Sequence, residues 1–106
     1  MNNLNSLILE GVVIGEPHLV EASDVLNFTI GVERYYKNRA GEDVTETSQF
    51  KVVAFGAMSK LPLKEGMGVR VVGRLKQNTW EENGVTHSEV QVVAEHIEMR
   101  AKYQGA

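Results

Sequence analysis

A chain of 106 residues suffices for one domain that buries roughly two-thirds of its unfolded surface, which excludes a two-domain enzyme. Its hydrophobic residues, 42% of the total, come in short pieces broken by charge or glycine, and no stretch approaches the roughly 20 apolar residues of a membrane-spanning helix. With no cysteine, 11 bases and 14 acids, the chain has no disulfide, thiolate metal site or cysteine nucleophile, and its net charge of −3 gives no global attraction to a polyanion.

The N-terminal Met1-Asn2-Asn3-Leu4-Asn5 carries no basic region ahead of an apolar run, so a cytosolic protein is expected. Frequent valine and repeated period-2 alternation predict an all-β chain. The first strand is expected over Leu4 to Ile14, with Leu4, Ser6, Ile8, Glu10 and Val12 on one face, Leu7, Leu9, Gly11 and Val13 on the other, and Pro17 closing it. A second, from Val25 to about Tyr36, places Leu26, Phe28, Ile30 and Val32 toward a core and Asn27, Thr29 and Glu33 on the other side. A polar, turn-prone stretch from Lys37 to Glu46 follows, the only segment polar enough to be disordered.

Thr47 to Phe55 reads as a third strand, with Gln49, Lys51, Val53 and Phe55 on one face and Phe50, Val52 and Ala54 on the other. Between Gly56 and Gly66, Pro62 limits any helix to about one or two turns, enough to cap a barrel. Val69 to Trp80 makes a fourth strand, in which Val69, Val71, Gly73 and Leu75 alternate with Arg70, Val72, Arg74 and Lys76. Asn83-Gly84 supplies a tight hairpin turn, because both central positions tolerate positive φ. A fifth strand returns over Val85 to about Met99, and residues 101–106 form a short tail.

Five strands, with long excursions after the first and second and a short helical segment between strands 3 and 4, match the oligonucleotide/oligosaccharide-binding (OB) barrel better than an SH3-like barrel. The expected organisation is one OB-fold domain over residues 1–100 followed by the tail.

Nothing in the sequence assembles a catalytic centre. His18, His87 and His96 lack metal-ligand spacing, and Ser6, Ser48 and Ser59 lie in no nucleophile elbow. Gly66-Met67-Gly68 precedes a strand rather than a helix and reads as a turn. Neither enzymatic activity nor a metal or cofactor is expected.

The charges, by contrast, are segregated. Residues 1–33 carry five acids and no Lys or Arg, residues 34–76 carry nine bases against four acids, and residues 77–106 carry two bases against five acids. Within the basic middle, Tyr35 and Tyr36 adjoin Arg34 and Lys37, Phe55 shares a face with Lys51, and Trp80 follows Arg74 and Lys76. Single-stranded nucleic acid calls for this combination, since rings stack on unpaired bases while cations track phosphates. Phe28 and Phe50, alternating with polar residues, are assigned instead to the core or to a subunit interface. Phe55 divides evenly between core and surface, Trp80 and Tyr36 lean to function, and Arg70, Arg74 and Lys76 taken singly could be solubilising charges.

These residues carry a resemblance that spans nearly the whole chain. Leu9-Glu10-Gly11, Glu16-Pro17, Phe28-Thr29-Ile30, Val53-Ala54-Phe55-Gly56, Lys64-Glu65-Gly66, Val71-Val72-Gly73-Arg74-Leu75 and Trp80 before the hairpin resemble, in order and spacing, the bacterial single-stranded DNA-binding proteins. The resemblance implies a cytoplasmic, nucleoid-associated homotetramer that binds and protects single-stranded DNA, largely irrespective of sequence, in replication, recombination and repair. It also implies a dimer contact through strand 1, Leu4 to Ile14. Tyr36, Phe55 and Trp80 fall where the family places stacking aromatics, and Lys51 and Lys76 fall on its basic contact positions. Charge and strand phase add Arg34, Lys37, Lys64, Arg70 and Arg74.

The sequence departs from the family pattern at Gln49, where another aromatic is frequent, and at Asn78 and Thr79, where bases often precede the tryptophan. Weaker or more salt-sensitive binding is expected from those changes. The Ala57 to Glu65 segment is shorter than usual. Family members usually continue into a flexible tail with an acidic tip that recruits replication and repair proteins, whereas this chain stops at Lys102-Tyr103-Gln104-Gly105-Ala106, so either the chain is truncated or that role is missing. Two other readings are kept. One is an accessory module resembling the primosomal replication protein of this fold, acting mainly by protein contacts, which the missing tail favours and the Trp80 and Phe55 positions oppose. The other, a barrel nuclease, lacks an acidic cluster for a metal.

Overall fold

The computed structural model describes residues 2–100, so the expected tail at 101–106, with Tyr103, lies outside the described residues. Five strands, β1 (Leu7–Val20), β2 (Val25–Lys37), β3 (Asp43–Phe55), β4 (Gly68–Glu82) and β5 (Val85–Met99), close a barrel in the order β1-β2-β3-β5-β4. That is the all-β, five-stranded OB barrel anticipated from the strand pattern. A 3₁₀ turn at Gly56–Lys60 occupies the expected helical slot between β3 and β4, and a second, at Glu21–Ser23, makes the β1–β2 link short. Among the described residues no helix is long and apolar enough to cross a membrane.

Alternation fills the barrel. Val13 from β1, Leu26, Phe28 and Ile30 from β2, Val52 and Ala54 from β3, Val69 and Val71 from β4, and Val92, Ala94 and Ile97 from β5 form one buried cluster. Leu63 from the β3–β4 link joins it, with Met58, Leu61 and Met67 packed alongside. That link is tied to β1 by backbone bonds, the Val13 N–H donating to Met67 O and the Gly66 N–H donating to Val13 O. Val53 and Val93, register partners across the β3–β5 seam, are also buried but lie outside the central cluster.

Four boundaries differ from the sequence reading. β1 starts at Leu7, leaving Leu4 exposed, and continues through Pro17 to Val20. The β1–β2 register breaks between Ile14 and His18, so Pro17 sits at a bulge where its missing N–H costs no ladder bond. The polar stretch from Lys37 to Glu46 is a turn over residues 38–42 flanked by strand: β2 and β3 pair continuously out to Lys37 and Asp43. Its turn is held by Asn38, whose Oδ1 accepts the N–H groups of Ala40 and Glu42, and by Gly41 at φ +80°. β4 extends to Glu82, and Leu75 on it is exposed. Phe28 is buried as expected, whereas Phe50, paired with the fully buried Ile30, is 39% exposed in the single chain.

Candidate nucleic-acid interface

The site follows from strand alternation on the outer surface. Beyond the bulge between Val72 and Gly73, β4 pairs with β5 so that Arg74 faces Val93, Lys76 faces Gln91, Asn78 faces Glu89 and Trp80 faces His87. Directly opposite residues share a face, so these eight side chains line one side of the hairpin. At the barrel, β5 continues this face onto β3 through the parallel pair Val53–Val93. Lys51 on β3 reaches across to Glu89, with its Nζ 2.5 Å from Oε1. From there, Lys51 lies opposite Thr29 and Val53 opposite Asn27 on β2. A groove of about 430 Å³ runs here, lined by Asn27, Thr29, Lys51, Glu89 and Gln91 together with Glu16 and His18 of the β1 bulge.

Of the residues singled out in the sequence, Trp80, Lys76, Arg74, Lys51 and Phe55 are brought onto this outer face. Trp80 is 45% exposed and stacks on His87; Phe55, at the end of β3, is also exposed and alternates in phase with Lys51. Tyr36 and Arg34 lie on the opposite face of the β2–β3 arm, because their alternation is that of Phe28 and Ile30. The Arg34 guanidinium lies 4.8 Å from the Tyr36 ring centroid, a cation–π arrangement. The residue in phase with Thr29 and Lys51 is Tyr35, 68% exposed, its hydroxyl donating to Glu33. Lys37 pairs with Asp43 at 2.8 Å at the arm's end, and Lys64 is exposed in the β3–β4 link.

Arg70 is set apart. Ten residues from Trp80, roughly 30 Å along an extended strand, its Nε and Nη2 donate to Glu10 Oε2 at 2.9 and 2.7 Å. Arg100 reaches the same carboxylate at 2.7 Å, and Glu98 stands 3.9 Å from Arg70. The two hydrogen bonds from Arg70 hold the Glu10 carboxyl below the usual carboxylate range, with help from the charges of Arg100 and Arg70, and Glu10 in turn raises Arg70. Arg74 has a looser partner, Glu95 at 4.0 Å. Among the described residues Lys76, Lys64 and Arg34 make no ion pair.

Tyr35, His87 and Glu89 are the residues that sequence reading did not select. Counting by twos from Asn27 and Thr29 identifies Tyr35. His87 and Glu89 needed the hairpin register, which Asn83-Gly84 centres: Asn83 adopts φ 53° and Gly84 φ 77°, with Glu82 opposite Val85.

Residues 4–100 match the single-strand binding protein family. The chain is 34% identical over 109 residues to the single-stranded DNA-binding protein of Aquifex aeolicus, covering 97% of this chain and 74% of that protein. Its identity to the Thermotoga maritima protein of the same name is 30% over 87 residues, 76% of this chain and 62% of the relative, so it spans less than two thirds of that one. Among solved structures, the Plasmodium falciparum SSB in complex with ssDNA superposes with a TM-score of 0.81 at 20% identity, covering 95% and 98% of the two chains. A deletion mutant of the single-stranded DNA binding protein from Thermus aquaticus gives 0.80 at 25% identity, covering 92% of this chain and 51% of that one. Barrel order, strand register and a match over almost the full length agree, and the chain belongs to the single-strand binding protein family.

Proposed function

We propose that this protein binds and protects single-stranded DNA, with little regard to sequence, in replication, recombination and repair. Bases stack on Trp80, Phe55 and Tyr35, and phosphates are met by Lys76, Lys51 and Arg74; Arg34, Tyr36, Lys37 and Lys64 give further contact where the strand passes the β2–β3 arm and the β3–β4 link. The observation that carries this reading is the common outer face that holds an exposed Trp80, Lys51 and a Lys76 without an ion pair among the described residues, along the β4–β5 and β3–β5 pairings. Stacking with backbone neutralisation is binding rather than catalysis, and it tolerates any base because every base has a π-face. The family match favours this over the accessory-module reading.

The working unit is a domain over residues 1–100, acting in the cytoplasm at the nucleoid as a homotetramer. The outward face of β1 supports the assembly: Ile8 is 66% exposed, and Val12 and Ile14 stand in phase with it. An Ile8→Asp substitution is expected to lower the mass in sedimentation equilibrium; an unchanged mass would move the contact elsewhere.

Trp80 is the sole tryptophan, so its fluorescence reports the site directly. Titration with oligo-dT is expected to quench it strongly and salt-dependently, and a matched duplex to do little. Absence of quenching and of competition at low salt would remove the single-strand reading.

A further inference from the structure

We propose that Glu89 is a built-in competitor for DNA phosphate at Lys51, a residue that sets affinity and salt dependence without touching the nucleic acid. This rests on the single-strand reading above. Lys51 Nζ lies 2.5 Å from Glu89 Oε1, with the lysine side chain well exposed and the glutamate half-buried. The two strands that carry them hydrogen-bond only around Val52–Val92 and Val53–Val93, so the ion pair spans the seam just where the backbone ladder stops and the β4–β5 hairpin diverges. Among the described residues it is the one ion pair that joins the hairpin to β3.

The chemistry is a competition for one ammonium. With Glu89 attached, the Lys51 site carries no net charge, and an arriving phosphodiester must displace a carboxylate that then remains nearby as an uncompensated anion. Lys76, one cross-strand pair further along the same face opposite Gln91, has no such competitor among the described residues. The outer face therefore presents an available cation, Lys76, close to a held one, Lys51. Removing the competitor should restore a full phosphate contact, whose counterion release adds up to about 0.7 to the slope of log affinity against log salt for a single strand. An exposed ion pair of ordinary strength corresponds to about a two- to fivefold change in affinity.

Glu16 serves as the control, because it lines the same groove with no ion pair to Lys51. The test measures oligo-dT affinity by Trp80 fluorescence over a salt series for the wild type and Lys51→Ala, each alone and combined with Glu89→Gln or with Glu16→Gln, with thermal unfolding followed for each. Glu89→Gln is expected to bind about two- to fivefold tighter with a steeper salt slope, and to have no effect in the Lys51→Ala background. Glu16→Gln should act more weakly and equally in both backgrounds. Equal tightening by Glu89→Gln with and without Lys51 would overturn the proposal in favour of general repulsion, and so would unchanged or weaker binding by a folded Glu89→Gln. Glu89→Ala carries the same expectation if the glutamine variant fails to fold. A wild type that does not bind oligo-dT overturns the functional reading itself, which distinguishes that failure from failure of the competitor alone.

Discussion

Trp80 and His87 stack across the β4–β5 hairpin with ring centroids 5.6 Å apart and planes 21° from parallel. The histidine packs against the indole across the hairpin and restricts its orientation, while Trp80 remains 45% exposed. A base arriving there would extend an existing stack rather than order a free side chain, which lowers the entropic cost of binding.

Trp80→Ala is accordingly expected to weaken oligo-dT binding by about 1–3 kcal/mol while leaving the melting temperature nearly unchanged, since Trp80 is absent from the buried cluster. Because the variant loses its own fluorophore, anisotropy of labelled DNA is the measurement. His87→Ala should lose less, about 0.5–1.5 kcal/mol, with Trp80 still quenched. A Trp80→Ala protein that no longer folds would show the ring to be structural.

Gly11 and Gly31 lie where β1 and β2 approach closely. A Cβ at Gly11 would stand 2.0 Å from the Gly31 carbonyl oxygen, whereas one at Gly31 would first meet the Ile14 Cδ1 at 2.3 Å. Backbone cannot yield as the end of an isoleucine can. Gly11→Ala should destabilise by about 1–3 kcal/mol or more and Gly31→Ala by less, read as shifts in the urea midpoint. Equal costs would mean that the Ile14 side chain has no room to rotate.

The Glu10 carboxylate, with Arg70 and Arg100 on one oxygen, has a pKa lowered in the folded state. Such a group stabilises the fold at neutral pH, where it is ionised in both states, and that contribution disappears as pH falls through its folded-state value. Glu10→Gln should therefore flatten the acid limb of stability against pH, with the two proteins converging at the acid end. Thermal unfolding across the acid range checks this. Arg70→Ala should likewise affect stability more than oligo-dT affinity.

Phe28 and Phe50 alternate with polar residues in similar ways yet differ in burial. Phe28→Ala should cost about 3–5 kcal/mol, and Phe50→Ala well under half of that in the isolated chain. Denaturant unfolding of both variants, at protein concentrations low enough to suppress assembly, makes the comparison. A large cost at Phe50 that appears only at concentrations where the protein assembles would place it under a neighbouring subunit.

The core was legible because burial repeats at the strand period: Leu26, Phe28 and Ile30 stand out against Asn27 and Thr29 without knowledge of any partner. The arm beyond Lys37 was not, since Asp43, Thr45 and Glu46 look like loop residues until Lys37, Tyr35 and Arg34 are seen opposite them. Pro17 misled for a related reason, as a proline ends a strand only where the ladder needs its N–H. Of the proposed site, Trp80, Lys76, Lys51 and Phe55 could be chosen by residue type, charge and family resemblance, but Tyr35 versus Tyr36 turns on phase. The pairing of Lys51 with Glu89 and of Arg70 with Glu10 joins residues 38 and 60 positions apart in the chain, and no local pattern announces such contacts.

The strand order also dictates when the molecule can become whole. β1 is bonded to β4, with Leu7 beside Gly73, and β4 is joined to β3 only by way of β5. During synthesis, a nascent chain that has emerged as far as Glu82 would still present two open strand edges, and the last strand to arrive is the one that seals both. Loop closure over such separations is slow, and unpaired edges invite pairing with neighbouring chains. The interval before Val92 and Val93 reach β3 is therefore when this protein is most in need of dilution or a chaperone, and substitutions that delay β5 should surface first as lost soluble yield.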